Sequence, residues 1–337
     1  MNGRTILRLT PLVIAGLAVV TAVFYLARHS KQHPGIAANG PTIQVLSYSG
    51  FIAAWGPGPE LAKRFENRTG IRIEFRDAGD AGLLMKKLEL FPSDVVIGLD
   101  EISLEAARAA SQWRETPKDL SIDSRWAQPD FVAFDWAPMA FIYREGEIEP
   151  PTSLQDLLHE RFRGTITLMD PRTSAPGLQF ANWVLDELGA EQAGVFLKAL
   201  KPNVHSVSSG WTAAYGLFTK RQAKLALSYL TSPVYHWTQD NDASYRAAVF
   251  KTGHPVHVEY AGVPATCQQC AAAEQFLRFL VEAQTQKLIM NKNVMFPVVP
   301  SAIDGSDFQK LPRVELRTNL KMDTREAIFA LWQQSDL

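Results

Sequence analysis

The chain has 337 residues, 46% apolar and 20% charged, with a formal net charge of -1. That length is enough for two domains, and the balance is that of a globular protein, not a disordered or fibrous one. Near-neutral charge without a basic stripe excludes nucleic acid as an expected partner, and no internal repeat or low-complexity tract is visible.

The chain opens on a targeting pattern. Arg4 and Arg8 precede an apolar run over residues 12–27, and Arg28, His29, Lys31 and His33 follow it. Basic–apolar–polar order is that of an export signal. The run is a little shorter than the roughly 20 residues of a full span, and no clean small-x-small site closes it. Residues 1–33 are expected to act either as a cleaved signal peptide or as an anchor in the cytoplasmic membrane through residues 9–27. The expected location is the periplasm. Residues 34–41 read as a Gly- and Pro-containing tether, and no later stretch is long and apolar enough to span a membrane.

The folded part is predicted to begin with a strand over residues 43–48. Trp55-Gly56-Pro57-Gly58-Pro59 is a turn that opens a helix on Pro59, and Gly70 closes that helix. A second strand covers residues 71–75, then a loop over 77–82 and a helix with Leu83, Leu84 and Leu88 inside. Val95 to Leu99 is apolar throughout, as buried parallel strands are. Asp100 ends it and a helix follows over 103–110. This alternation predicts a βαβα sheet with helices on both faces. A long extended stretch over 134–143 is a candidate crossing to a second domain. Beyond it come a helix at 154–159, a strand ending at Asp170, and amphipathic helices at 178–188 and 191–200. A helix at 212–220 then leads to the strand that ends at Tyr229. A second extended stretch, 255–261, crosses back. Helices at 268–282 and 285–290, a short strand or turn at 295–298 and a helix at 324–334 complete the chain.

Two sheets joined by two extended crossings predict an α/β, two-lobed architecture with a ligand cleft between lobes, able to close by a hinge. Lobe one is expected over 42–137 plus 258–305, and lobe two over 138–257 plus 306–337. Trp136 and Tyr260, near the crossings, either stiffen the hinge or simply fill the core.

Three loops in the second half carry hydroxyls and free backbone amides. They are Asp170 to Gly177, Ser208 to Tyr215 and Tyr229 to Tyr235. Each follows a strand or opens a helix, where ligands bind in open α/β sheets. None holds a nucleophile–base pair or metal-ligand spacing, so a binding site is expected, not an enzyme, with no cofactor and no metal. His254 and His257 lie three apart in an extended segment and point to opposite faces. Cys267 and Cys270 form a CxxC behind Thr266. A local structural disulfide, a redox-active pair and inert thiols are all open readings, the disulfide being favoured in an exported chain.

Four stretches carry a family resemblance. They are Phe51-Ile-Ala-Ala-Trp-Gly-Pro-Gly-Pro59, Asp170-Pro-Arg-Thr-Ser-Ala-Pro-Gly177, Gly210-Trp-Thr-Ala-Ala-Tyr-Gly-Leu-Phe218 and Leu227-Ser-Tyr-Leu-Thr-Ser-Pro-Val-Tyr-His236. From residue 42 onward the chain resembles the periplasmic thiamine-binding proteins of bacterial thiamine ABC importers. The resemblance implies a type II two-lobed periplasmic binding protein that takes thiamine, thiamine phosphate or thiamine diphosphate. It implies an importer permease and ATPase as partners, and a monomer is expected. It places Tyr48, Asp80, Ala81, Ser174, Ala175, Trp211, Tyr229, Leu230, Thr231, Ser232 and Tyr235 at the ligand. In that reading Tyr48 and Tyr235 face the cationic and planar rings. Asp80 takes the amine or offsets the cation. Ser174, Ser232 and the Trp211 amide converge on a hydroxyl or phosphate group. The chain departs from the family at Ala81 (for Gly), Ala175 (for Thr) and Val294, where Asn293-Val-Met-Phe-Pro-Val298 replaces a motif with Trp second. The departures bear on which solute is bound. Alternatives are another small cationic or metal-chelate solute on the same scaffold, or a periplasmic dithiol redox enzyme using the CxxC.

Overall fold

The computed structural model describes residues 40–318 and 325–337. The expected signal or anchor over residues 1–33, and the tether as far as residue 39, lie outside the described residues.

The first strands are β1 (Thr42–Ser47), β2 (Arg72–Asp77) and β3 (Val95–Leu99), and β1 pairs in parallel with both of the others. Helix α1 (Gly58–Thr69) links the first two, and α2 (Glu101–Ala110) follows β3. Helix α1 begins on a Gly-Pro step and ends on Gly70, whose φ of 75° is the left-handed cap a side chain would resist. Asp100 caps α2 by accepting from the Ser103 amide.

Strand β4 (Val132–Arg144) is the first crossing and β9 (His254–Gly262) the second. They run antiparallel, and β9 also pairs with β3. Between the crossings lie β5 (Ile166–Met169), β6 (Val204–Ser208), β7 (Leu225–Tyr229) and β8 (Tyr245–Ala247). Helix α3 (Ala175–Leu200) connects β5 to β6, and α4 (Trp211–Thr219) connects β6 to β7. The break read from sequence between residues 188 and 191 is real, for Gly189 interrupts α3 with φ 73° and ψ 160°.

The expectation of two separate sheets is corrected. The ladder is continuous, in the order β2-β1-β3-β9-β4-β7-β5-β6. The reason is that β4 belongs to both halves. Its residues 132–138 pair with β9, and its residues 139–143 pair with β7. The handover falls at Pro138, which has no N–H to donate, while its carbonyl accepts from the Leu230 amide.

The apolar interior is nonetheless divided. One core gathers Ile43, Phe51, Phe65, Val96, Phe134, Val258 and Phe276. A second gathers Phe141, Phe162, Phe180, Trp183, Leu227, Phe250 and Trp332. Helices α5 (Pro233–Thr238), α6 (Cys270–Leu280) and α7 (Ala283–Asn293) complete the scaffold, with α8 (Arg325–Gln334) packed on α3. Tyr260 is buried in the first core, and the Trp136 indole donates to the Pro297 carbonyl.

Candidate ligand-binding site

A cavity of about 1180 Å³ opens at the carboxyl ends of β1, β2 and β7 and at the amino ends of α3 and α4. This is where strand ends leave free amides and room for a solute. Of the residues expected at a ligand, Tyr48, Asp80, Ala81, Ala175, Trp211, Tyr229, Ser232 and Tyr235 line it. Ser174, Leu230 and Thr231 do not; all three are buried behind the wall. Trp55, His257, Glu259 and Asn293 also line the cavity, and sequence reasoning did not assign them to it.

Tyr48 projects from the end of β1 over Gly98, whose φ of 99° and missing side chain leave room for its ring. The Tyr48 hydroxyl donates to Glu259 Oε2 at 2.7 Å. The amide of Asn293, at the end of α7, reaches Asp135 Oδ2 at 2.7 Å and Glu259 Oε2 at 3.1 Å. His257 Nε2 lies 3.8 Å from Glu259 Oε1. Behind them Glu101 accepts from the Val258 amide at 2.7 Å and from the Gln179 side chain at 2.9 Å.

This is a dense set of buried ionisable groups. Burial, then the Glu259 charge, raises the pKa of Asp135 well above the carboxylate range. Burial raises Glu101 to about 8 despite the neighbouring His257. Burial alone would lower His257, but its contact with Glu259 and the charges of Glu101 and Asp100 outweigh it, to about 9. Protons are thus held among closely packed acids at one wall of the cavity. His254, expected on the opposite face of β9, is there. Its ring accepts from the Phe250 amide and pairs with the Met139 carbonyl, and burial lowers its pKa.

The lining is also aromatic. The rings of Trp211 and Tyr215 stack at 4.8 Å, 13° from parallel. The Trp211 indole donates to Ser228 Oγ at 2.8 Å, and Ser228 Oγ lies 2.8 Å from Ser232 Oγ. The Ser232 hydroxyl is therefore engaged inside the wall. Trp55 and Tyr235 are 49% and 44% exposed on the cavity lining, the open rings of the site. A smaller hollow of about 430 Å³ adjoins, sharing Tyr235, Gln239, Lys287, Asn291 and Val294 with the main cavity. Val294 caps α7 at φ 57°, a left-handed conformation that is strained for a β-branched residue.

Asp80, expected at a ligand amine or cation, lines the cavity and is also engaged within the protein. Its carboxylate accepts from the amides of Ala175 at 3.2 Å and Trp211 at 3.1 Å, the first residues of α3 and α4. The Trp211 amide, expected to hold a ligand oxygen, is thus taken by Asp80.

Cys267 is joined in a disulfide to Cys270, the first residue of α6. Among the described residues no three His, Cys, Asp or Glu side chains cluster so as to hold a metal ion.

An α/β scaffold with antiparallel crossing strands, opening a deep ring- and acid-lined cavity at strand ends, is that of an extracellular solute-binding protein. Residues 43–292 match the model of the bacterial extracellular solute-binding proteins, and the chain belongs to that family. It is homologous to the thiamine-binding periplasmic protein of Salmonella typhimurium (strain LT2), with 32% identity over 307 residues, covering 88% of this chain and 93% of the relative. The thiamine-binding periplasmic protein of Haemophilus influenzae is 33% identical over 306 residues, covering 87% and 91%. A solved periplasmic thiamin binding protein superposes with a TM-score of 0.81 at 32% identity, covering 88% of this chain and 96% of that one. A periplasmic binding protein from Actinobacillus pleuropneumoniae, with fructose-6-phosphate bound, gives 0.74 at 15% identity over 88% and 99%, a likeness of fold alone.

Proposed function

We propose that this chain is the periplasmic receptor of an ABC importer and captures thiamine or a phosphate ester of it. The observation that carries the reading is one cavity lined both by a buried acid and by several aromatic rings. Glu259, with the buried Asp135 behind it, lines the cavity together with the rings of Trp55, Trp211 and Tyr235. A permanently cationic thiazolium joined to a planar aminopyrimidine is complementary to that pairing. Each well-formed cation–π contact is worth about 0.5–2 kcal/mol. The thiamine-binding relatives at about one-third identity support the same solute.

In this reading the chain works as two lobes, 42–137 plus 258–305 and 138–257 plus 306–337. They close over the solute by bending where β4 and β9 pass from one half to the other. The two separate cores support that division. The receptor is a monomer that delivers its solute to a permease and ATPase. It is either freed by cleavage within the first 33 residues or held on the membrane by residues 9–27.

One observation favours a second reading. Val294, where the family resemblance implies Trp, lies on the boundary between the cavity and its adjoining hollow. A different or longer cationic heteroaromatic would fit a site opened there. Thermal unfolding with thiamine, its mono- and diphosphate, putrescine and ferric citrate separates the readings. A rise in melting temperature with thiamine species alone supports the proposal. A rise only with another solute refutes the ligand while leaving the scaffold.

A further inference from the structure

An unbroken run of hydrogen bonds lies behind the rings of the cavity. The Trp211 indole donates to Ser228 Oγ, which lies 2.8 Å from Ser232 Oγ. The Ser232 side chain also hydrogen-bonds the Tyr215 hydroxyl. Tyr215 Oη lies 3.0 Å from His236 Nε2, and His236 Nδ1 lies 2.7 Å from Asp240 Oδ2. The members come from α4, β7, α5 and the turns on either side of α5. His236 is buried, and Asp240 at the end of the run is exposed.

The run has one direction. An ionised carboxylate only accepts, so the neutral His236 ring gives its single proton from Nδ1 to Asp240 and keeps Nε2 as an acceptor. Tyr215 must then donate to Nε2. Each hydroxyl has one proton to give, so Ser232 donates to Tyr215 and Ser228 to Ser232. The Trp211 indole, which can only donate, closes the far end in agreement. His236 also sits among rings. It stacks on Tyr245 of β8 at 3.5 Å, 9° from parallel, and Tyr235 meets it edge-on at 5.3 Å. Tyr215 in turn backs the Trp211 ring. Its orientation is therefore passed to Trp211 and Tyr235, two rings that line the cavity.

We infer that His236, held with its proton on Nδ1 by Asp240, is a positioning residue that sets the Trp211–Tyr215 ring stack for the solute through the Tyr215 hydroxyl. The solute it serves rests on the thiamine reading above; the tautomer does not. Protonating His236 puts an N–H where Tyr215 donates, so that hydroxyl has to turn and the run behind it reverses or breaks. The groups facing the ring are Asp240 and Asp242 beyond α5, Tyr235 beside it, Tyr215 from α4, Tyr245 from β8 and Arg144 from β4. Burial acts most strongly and lowers the pKa, Arg144 lowers it further, and the two acids raise it without prevailing. The ring is thus neutral at neutral pH and gains its second proton below the ordinary value of 6.5.

Two measurements test this. The first needs no ligand: long-range proton–nitrogen correlation of the imidazoles by NMR, with His236→Gln assigning the signal. The expected result at neutral pH is a neutral His236 ring protonated on Nδ1, and a shift toward the Nε2 form in Asp240→Ala. A wild-type ring protonated on Nε2, or a tautomer unchanged in Asp240→Ala, overturns the inference. The second is calorimetric titration with thiamine of the wild type, Tyr215→Phe, Asp240→Ala and the double variant. Tyr215→Phe removes one oxygen and keeps the ring. Each single change should weaken binding about fivefold, the scale of one hydrogen bond. The double variant should lose no more than either single one, because both act along one path. The gap between wild type and Tyr215→Phe should close as pH falls from about 7 to about 4.5, since the protonated ring no longer accepts from the hydroxyl. Full binding by Tyr215→Phe, additive losses, or a gap that does not change with pH, as a merely structural hydroxyl would give, each overturns the inference. If the wild type binds no thiamine, the ligand reading has failed and the imidazole measurement decides alone.

Discussion

Asp135 and Glu259 stand directly opposite each other on β4 and β9, both buried, with the Asn293 amide within reach of each. Like charges across a ladder repel, so the pair favours either a retained proton or a cation. A cationic solute beside Glu259 lowers the pKa of Asp135, Glu101 and His257 together, since each charged acid or neutral imidazole gains from a positive neighbour. Thiamine uptake is therefore predicted to release protons near neutral pH, and affinity should rise with pH between about 6 and 9. Titration in two buffers of different ionisation enthalpy reads the release. Glu259→Gln should reduce it and weaken binding about tenfold or more, the scale on which a partner charge in a partly buried site acts.

Stability follows the same groups with a definite sign. His257 titrates near 9 in the fold, against 6.5 ordinarily, so its contribution is full below pH 6.5 and is lost as pH rises through 9. Glu101 titrates near 8, against 4.5, so the fold binds its proton more tightly than the unfolded chain and loses stability as pH rises through 8. His236 and His254, both lowered, act only below their ordinary value of 6.5. Urea unfolding of the ligand-free protein should thus show declining stability between pH 7 and 9. His257→Gln should flatten the decline.

Gly98 and Tyr48 form a second dependent pair. A Cβ on Gly98 would lie 2.4 Å from the Tyr48 ring, and the backbone there has φ 99°. Gly98→Ala is predicted to cost about 2 kcal/mol or more through strain and displacement of the ring. It should also weaken thiamine binding, because the Tyr48 hydroxyl leaves Glu259. Chemical denaturation and calorimetry check both.

Much of the fold was legible from local pattern. The run Val95 to Leu99 is apolar throughout and forms β3, and Gly70 closes α1 as expected. Strands β6 and β8 were missed because they are short and partly exposed, with His205, Ser206 and Arg246 among few apolar residues. The joined ladder was missed because one crossing strand serves both halves, which depends on pairing far apart in sequence. Residues on recognisable loops, such as Trp211 and Tyr235, do line the cavity. Glu259 left a signal, a carboxylate within the apolar crossing strand, where a charge needs a reason. The grip of the Ala175 and Trp211 amides on Asp80 left none, since nothing local says which acid will meet them.

The open rings should matter for every form of the solute. Tyr235→Ala and Trp55→Ala are each predicted to weaken thiamine and its phosphates alike, by about 1 kcal/mol or roughly fivefold, the scale of one exposed cation–π contact. Val294→Gly should stabilise the protein by relieving the left-handed strain, by about 1 kcal/mol. Val294→Trp should tighten thiamine by restoring a ring face beside Tyr235, or clash if the adjoining hollow is needed. Melting temperatures and titrations distinguish these.

Glu259 and the rings that line the cavity are proposed to hold one thiamine together. Calorimetric titration of the purified protein with thiamine, repeated on Glu259→Gln and Tyr235→Ala, tests it most directly. The account predicts tight one-to-one binding by the wild type and weaker binding by each variant. Absence of binding heat with thiamine and both of its phosphates, in a protein that is folded by circular dichroism, would contradict it.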